Sequence, residues 1–427
     1  MPDVEQLKKK NKDLQLAINE LKVLNDVATA ISSVQSVDEI IDQIVLKCIK
    51  HMGVKEGTIS LLERNSEEQT FQTMVRHRDS SSTMVPFRMD TGLKGWMLKN
   101  RTSFLSNDIR SDERFKFLSD AEYTFKSILC VPLIVKGDLI GYLAVFNKKN
   151  GPFTEEDRRL LSIIGSQSAQ ILENARLLEE EKTLIALQSE LEMAGEIQRK
   201  LLPDKSPEIS DFEMYAVNIP AKSVGGDYYD FVPLSDHRLA FCLADITGKG
   251  MPAAMLMASL QATLRSQVMV NEECTTCMTR TNKLLFKNTE STKFATMFYG
   301  TLDTETGILD YTNGGHDCPI LFRPGQEPIQ LETTGLILGI LEDSEYTKEQ
   351  IKLKPGDLLF LFSDGITEAM DPDMEMYGIE RVQELINQNK EKKVTEIADI
   401  LLADIRSHAK SADQSDDITM MLIKRSN

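Results

Sequence analysis

KSVGGDYYDFVPLSDHRLAFCLADITGKG, residues 222–250, decides how the chain is read. The apolar run Arg238–Ala244 predicts a strand that leads straight into Asp245, with Gly248 and Gly250 just beyond. Asp227 stands eighteen positions earlier, behind Gly225 and Gly226. A carboxylate at a strand end, with glycine beside it so that backbone can approach closely, is placed to hold a hard cation. Two later stretches repeat the arrangement. Asp364, in Phe362-Ser363-Asp364-Gly365, follows a predicted strand Asp357–Leu361, and Asp416, in Ser415-Asp416-Asp417-Ile418-Thr419, precedes another at Ile418–Ile423. Taken singly each Asp-Gly is an ordinary turn; the signal lies in the four together. Carboxylates converging on one spot repel one another unless a divalent cation neutralises them. With only five histidines in the chain, oxygen ligands and magnesium or manganese fit better than zinc.

In this order, GGDYYD, ADITGKG, SDGITE and SDDIT resemble the signature of the PPM-type protein phosphatases, in the branch that includes SpoIIE and RsbU. The resemblance covers roughly residues 190–425. It implies a β-sandwich flanked by helices, with two divalent cations, Mn2+ or Mg2+, between the sheets. It also implies that Asp227 and Asp245 are catalytic metal ligands, with Asp245 bridging and the Ile246 carbonyl contributing an oxygen. Asp364 and Asp416 would complete the set, and Asp417 takes the neighbouring outer position. Lys222 falls where relatives place a phosphate-holding arginine; a solvated lysine is the plainer reading. The histidine that relatives carry soon after the bridging aspartate is replaced by Thr247, and the later one of bacterial relatives by Lys249. His316, in a Gly-Gly-His turn, reads as a turn or core residue. The implied substrate is a phosphoserine or phosphothreonine on a STAS-type anti-sigma antagonist. A catalytically inactive scaffold of the same fold is the alternative, although no metal carboxylate is missing.

Working outward, 427 residues exceed one ordinary core and call for two or three domains. The expected fold class is α+β, divided into an N-terminal helix (1–35), a GAF-like sensor (36–175), a helical coiled-coil linker (176–203) and the PPM-type domain (204–427). Apolar residues at seven-residue spacing support the helical parts: Leu7, Leu14, Leu21 and Ala28 at the start, then Leu177, Leu184, Leu191 beside Leu187, Ala194, Leu201, up to Pro203. That spacing predicts a parallel pair of helices and hence a homodimer.

Residues 36–175 resemble a GAF domain through GLKGWMLKNRTSFLSNDIRSDERF, SILCVPLIVKGDLIGYLAVFNKK and FTEEDRRLLSIIGSQSAQILENA. The second of these predicts a hairpin about Lys136-Gly137-Asp138. Asn147, Lys148, Phe153 and Asp157 match part of a set found in cyclic-nucleotide GAF domains, but Arg158 replaces its Glu. The signal is therefore left open as a small molecule or a protein.

A formal charge of −17 makes nucleic acid and anionic membranes poor partners. The N-terminus has no apolar signal core, and no apolar run of spanning length occurs, so a cytoplasmic location is expected. Six dispersed cysteines read as reduced thiols. Cys274 to Arg280 has the spacing of a tyrosine-phosphatase loop but lacks its glycines, and Cys274 with Cys277 has no second pair for a metal.

Overall fold

The computed structural model describes residues 36–62, 71–78, 91–115, 125–270, 273–289 and 292–426, with helical residues 6–11, 13–15, 18 and 22 ahead of them. Leu21 and Ala28 of the N-terminal seam therefore lie outside the described residues, while Leu7 and Leu14 are helical. The chain forms two compact units that divide between Ile185 and Ala186.

The first unit is built on an antiparallel sheet of β1 (Val54–Leu62), β2 (Phe71–Arg78), β3 (Phe104–Ser106), β4 (Ile128–Val135) and β5 (Asp138–Lys148), in the order β2-β1-β5-β4-β3. Period-two alternation sends Leu143 and Val145 to one face and Tyr142, Ala144 and Phe146 to the other, and both faces are covered. On the first lies the helix Val37–Met52, started by Ser36, whose hydroxyl accepts from the Glu39 amide, and ended by Gly53 at φ 61°. The predicted hairpin forms, with Lys136 and Gly137 both at positive φ.

The second unit stacks two five-stranded antiparallel sheets. One runs β13 (Glu349–Lys352), β10 (Ile308–Gly314), β9 (Ala295–Asp303), β8 (Arg238–Ile246), β7 (Tyr228–Ser235). The other runs β12 (Ile329–Gln330), β11 (Ile320–Phe322), β14 (Leu358–Phe362), β15 (Ile418–Arg425), β6 (Phe212–Ile219). Alternation in β8 explains the layering. Leu239, Phe241 and Leu243 meet Leu359, Leu361, Met421 and Ile423 of the opposite sheet, forming the sandwich core. The intervening Ala240, Cys242 and Ala244 are small, and the helices Met251–Val268 and Cys274–Asn288 pack on them. Helices Ile379–Asn389 and Val394–Ala409 cover the other outer face.

The helix Glu155–Arg199 runs 45 residues and crosses the division between the units. It ends before the expected Pro203. Leu201, read as a seam position, lies beyond the helix and packs with Leu202 against the core under Met251–Val268. Leu177, Leu184 and Leu187 are more than half exposed or at half exposure along it. Among the described residues no helix is long and apolar enough to cross a membrane.

Candidate metal centre

Strand register brings the acidic strand ends together. Tyr228 pairs with Ala244, so Asp227, just ahead of β7, lies across from Asp245 near the end of β8. In the other sheet Phe362 pairs with Met420, which sets Asp364, just past β14, beside Asp416 and Asp417 ahead of β15. Hydrogen bonds then sew the two sheets at this edge. The Thr419 hydroxyl donates to Asp227 Oδ2. Asp417 accepts from the Ala221 amide at 2.8 Å and the Gly226 amide at 2.7 Å. The Ser363 hydroxyl donates to the Asp417 carbonyl at 3.1 Å and accepts from the Thr419 amide at 3.0 Å.

Two glycines permit this closeness. A Cβ on Gly225 would stand 2.3 Å from Asp417 Oδ2, and one on Gly365 would stand 2.0 Å from the Asp417 carbonyl. From the helix side, Gln198 Nε2 donates to the Gly225 carbonyl at 2.7 Å while its Oε1 accepts from the Gly225 amide at 3.0 Å. The loop before Asp227 is thus gripped by the last turn of Glu155–Arg199 as well as by Asp417.

The carboxylates feel one another. Burial, then the Asp245 charge, holds the Asp227 carboxyl well above its usual range, against the opposing Thr419 hydrogen bond. Burial and then Asp364 push Asp245 up to about 6. Asp364 is raised by burial and then by Asp416. Among the described residues no group of three or more His, Cys, Asp or Glu side chains stands close enough together to hold a metal ion as they lie. What the cluster does have is an all-oxygen donor set whose charges raise one another, relieved only in part by Lys249 on Asp416 and Thr419 on Asp227, which fits a hard divalent cation. The Ile246 carbonyl faces the same loop, 2.9 Å from where a Cβ on Gly226 would lie.

All five residues read from the sequence as metal ligands (Asp227, Asp245, Ile246, Asp364, Asp416) therefore gather at one edge of the sandwich. Lys222 is exposed and lines a small recess there with Gly248, Lys249, Asp416 and Asp417. Asp317 is not in that set; its residue is exposed, and partial desolvation and then Asp364 raise its carboxyl to about 6. Its only local mark was its place directly after the Gly-Gly-His turn. His316 is buried, its Nδ1 2.9 Å from the Thr296 hydroxyl, and burial lowers its pKa to about 4, so it is a neutral core residue. Cys274 and Cys277 are buried in a helix, and burial pushes their thiols up to about 11 and about 12, away from the thiolate a nucleophile needs. In the sensor, Lys148 pairs with Asp157, and Asn147 Oδ1 accepts the Lys126 amide at 2.8 Å. Those three side chains are engaged within the domain.

A two-sheet sandwich with helices on both outer faces and acidic strand ends at one edge has the architecture of the PP2C class. The SiaA-PP2C domain of Pseudomonas aeruginosa superposes with a TM-score of 0.52 at 18% identity, over 57% of this chain and 98% of that one. Residues 235–426 match the family described as Stage II sporulation protein E (SpoIIE), and residues 34–173 match the GAF domain family. The chain carries a SpoIIE-type domain of the PP2C fold behind a GAF domain. Among curated proteins it is similar to Protein IcfG of Synechocystis, 32% identical over 278 residues, covering 57% of this chain and 44% of that one. It is also similar to phosphoserine phosphatase RsbU of Bacillus subtilis, 29% identical over 257 residues, covering 58% of this chain and 74% of RsbU. Less than half of IcfG is thus matched.

Proposed function

We propose that the chain is a signal-regulated, metal-dependent protein serine/threonine phosphatase. The observation that carries this reading is the convergence of Asp227, Asp245, Asp364 and Asp416 from two neighbouring strands of each sheet. In this reading Asp227, Asp245, the Ile246 carbonyl, Asp364 and Asp416 hold two divalent cations, Mn2+ or Mg2+. When bound, the cations supply Lewis acidity to the phosphate and acidify the attacking water. The residues do the rest. Thr419 fixes the rotamer of Asp227, Asp417 and Gln198 hold the loop that presents it, and Lys222 offers a charge to the incoming phosphate. No cysteine or histidine nucleophile is called for.

The substrate we propose is a phosphoserine or phosphothreonine on a STAS-domain anti-sigma antagonist, within a partner-switching pathway in the cytoplasm; the name of RsbU, a phosphoserine phosphatase, supports the chemistry. The test is phosphate release from candidate phosphoproteins by the full chain. Turnover is expected with manganese and none with EDTA, and EDTA-resistant turnover would refute the metal assignment.

The signal would enter at the GAF domain and pass along Glu155–Arg199, whose last turn grips Gly225. We place the sensor at 36–175, the linker at 176–203 and the phosphatase at 204–427. Leu177, Leu184 and Leu187 leave apolar surface on the helix, which supports pairing in a homodimer. Replacing both Leu184 and Leu191 by Ser is expected to dissociate the dimer in light scattering and abolish the response to signal while basal turnover persists. A variant that stays dimeric and responsive would reduce the helix to a tether.

A further inference from the structure

The metal cluster leaves one electrostatic problem open. A phosphate monoester is a dianion at neutral pH, and it must approach an edge where Asp227, Asp245, Asp364, Asp416 and Asp417 are concentrated, in a chain of formal charge −17. Lysines gather at that edge from three separate segments. Lys222 lies on the loop before β7 and Lys249 in the turn after β8, and both line the same small recess with Gly225, Gly226, Gly248, Asp416 and Asp417. Lys293, ahead of β9, brings its Nζ to 3.0 Å from where a Cβ on Gly248 would stand. Among the described residues neither Lys222 nor Lys293 makes a side-chain hydrogen bond or ion pair.

Lys249 is the one fixed at the cluster. Its Nζ lies 2.8 Å from Asp416 Oδ2 and donates to the Ser415 carbonyl at 2.6 Å. It sits between Gly248 at φ 97° and Gly250 at φ 74°, a backbone path that L side chains at those two positions would resist. Its side chain nevertheless stays 45% exposed. An ammonium has three donors. Two are engaged, which leaves one donor on an ammonium that lines the recess.

We propose that Lys249 contacts the substrate's phosphate group, using its third donor on a phosphate oxygen while Asp416 and the Ser415 carbonyl hold the ammonium in place. Lys222, across the recess, is a looser second cation. The proposal rests on the phosphatase reading and deepens it by naming the residue that recognises the phosphate.

The test uses the full chain at saturating manganese, with inorganic phosphate as the probe, titrated by calorimetry and as a competitor of p-nitrophenyl phosphate turnover. Lys249→Met is expected to weaken phosphate binding roughly tenfold or more, as loss of a charged hydrogen bond would. Lys249→Arg should recover most of it, since the charge is kept. KM for p-nitrophenyl phosphate should rise in Lys249→Met by a similar factor. If Lys249 only braces the Ser415–Asp416 turn, Lys249→Met will need more manganese for half-maximal activity yet bind phosphate like the parent once manganese is saturating. That result overturns the proposal and leaves the phosphatase reading standing. A parent chain with neither manganese-dependent turnover nor phosphate binding overturns both.

Discussion

Asp245→Asn is expected to lower manganese-dependent phosphate release by about a thousandfold, equivalent to about 4 kcal/mol of transition-state stabilisation, and to leave the fold intact. The side chain keeps its shape and loses its charge. Asp245 is the member of the cluster that faces the most others, since burial and the charges of Asp364, Asp416 and Asp417 all raise its carboxyl while Asp227 shares a hydrogen bond with it. Neutralising it removes one of the anionic ligands from the proposed metal site, where anions would hold the cations. It also removes repulsion that opposes folding of the metal-free chain, so the melting temperature in EDTA should stay level or rise. A variant with turnover within tenfold of the parent would remove Asp245 from the metal set.

The second large effect is expected at Asp417, which need not touch metal at all. Its buried carboxylate satisfies the amides of Ala221 and Gly226, with the Asp227 amide at 3.4 Å. Asp417→Ala strands those donors away from water, a loss of about 3 kcal/mol, and frees the loop that presents Asp227. Both thermal stability and manganese affinity should fall. Asp417→Asn, which keeps one acceptor oxygen, is expected to fall between the two. Equal manganese affinity in Asp417→Ala and the parent would show that the loop holds its shape without this anchor.

The four acidic turns were legible because strand, carboxylate and glycine stand next to each other in the chain. β7 was not. Its sequence, YYDFVPLS, carries Asp230 and Pro233, both poor strand residues. The proline is tolerated because β7 is the edge of its sheet. Asp230 is fully buried because Arg265, 35 residues on, donates to it at 2.6 and 3.0 Å and the Tyr228 hydroxyl donates at 2.6 Å. No local pattern reveals a partner at that distance. The same holds for Gln198, a polar residue of the long helix that holds Gly225, 27 positions on. The strands of two to four residues, β3, β11, β12 and β13, are too short to show a period. The heptad spacing did give the long helix, but it carried the seam on to Leu201, where burial against the core takes over.

The bond from Gly226 to Asp417 joins residues 191 positions apart. Ribosomes deliver the first of these long before the second. β7 and β8 can pair as soon as they emerge, yet the loop between Ala221 and Asp227 has only its Gln198 contact until β15 docks between β14 and β6. The loop that presents Asp227 therefore takes its final shape only when the last strand of the domain has been made.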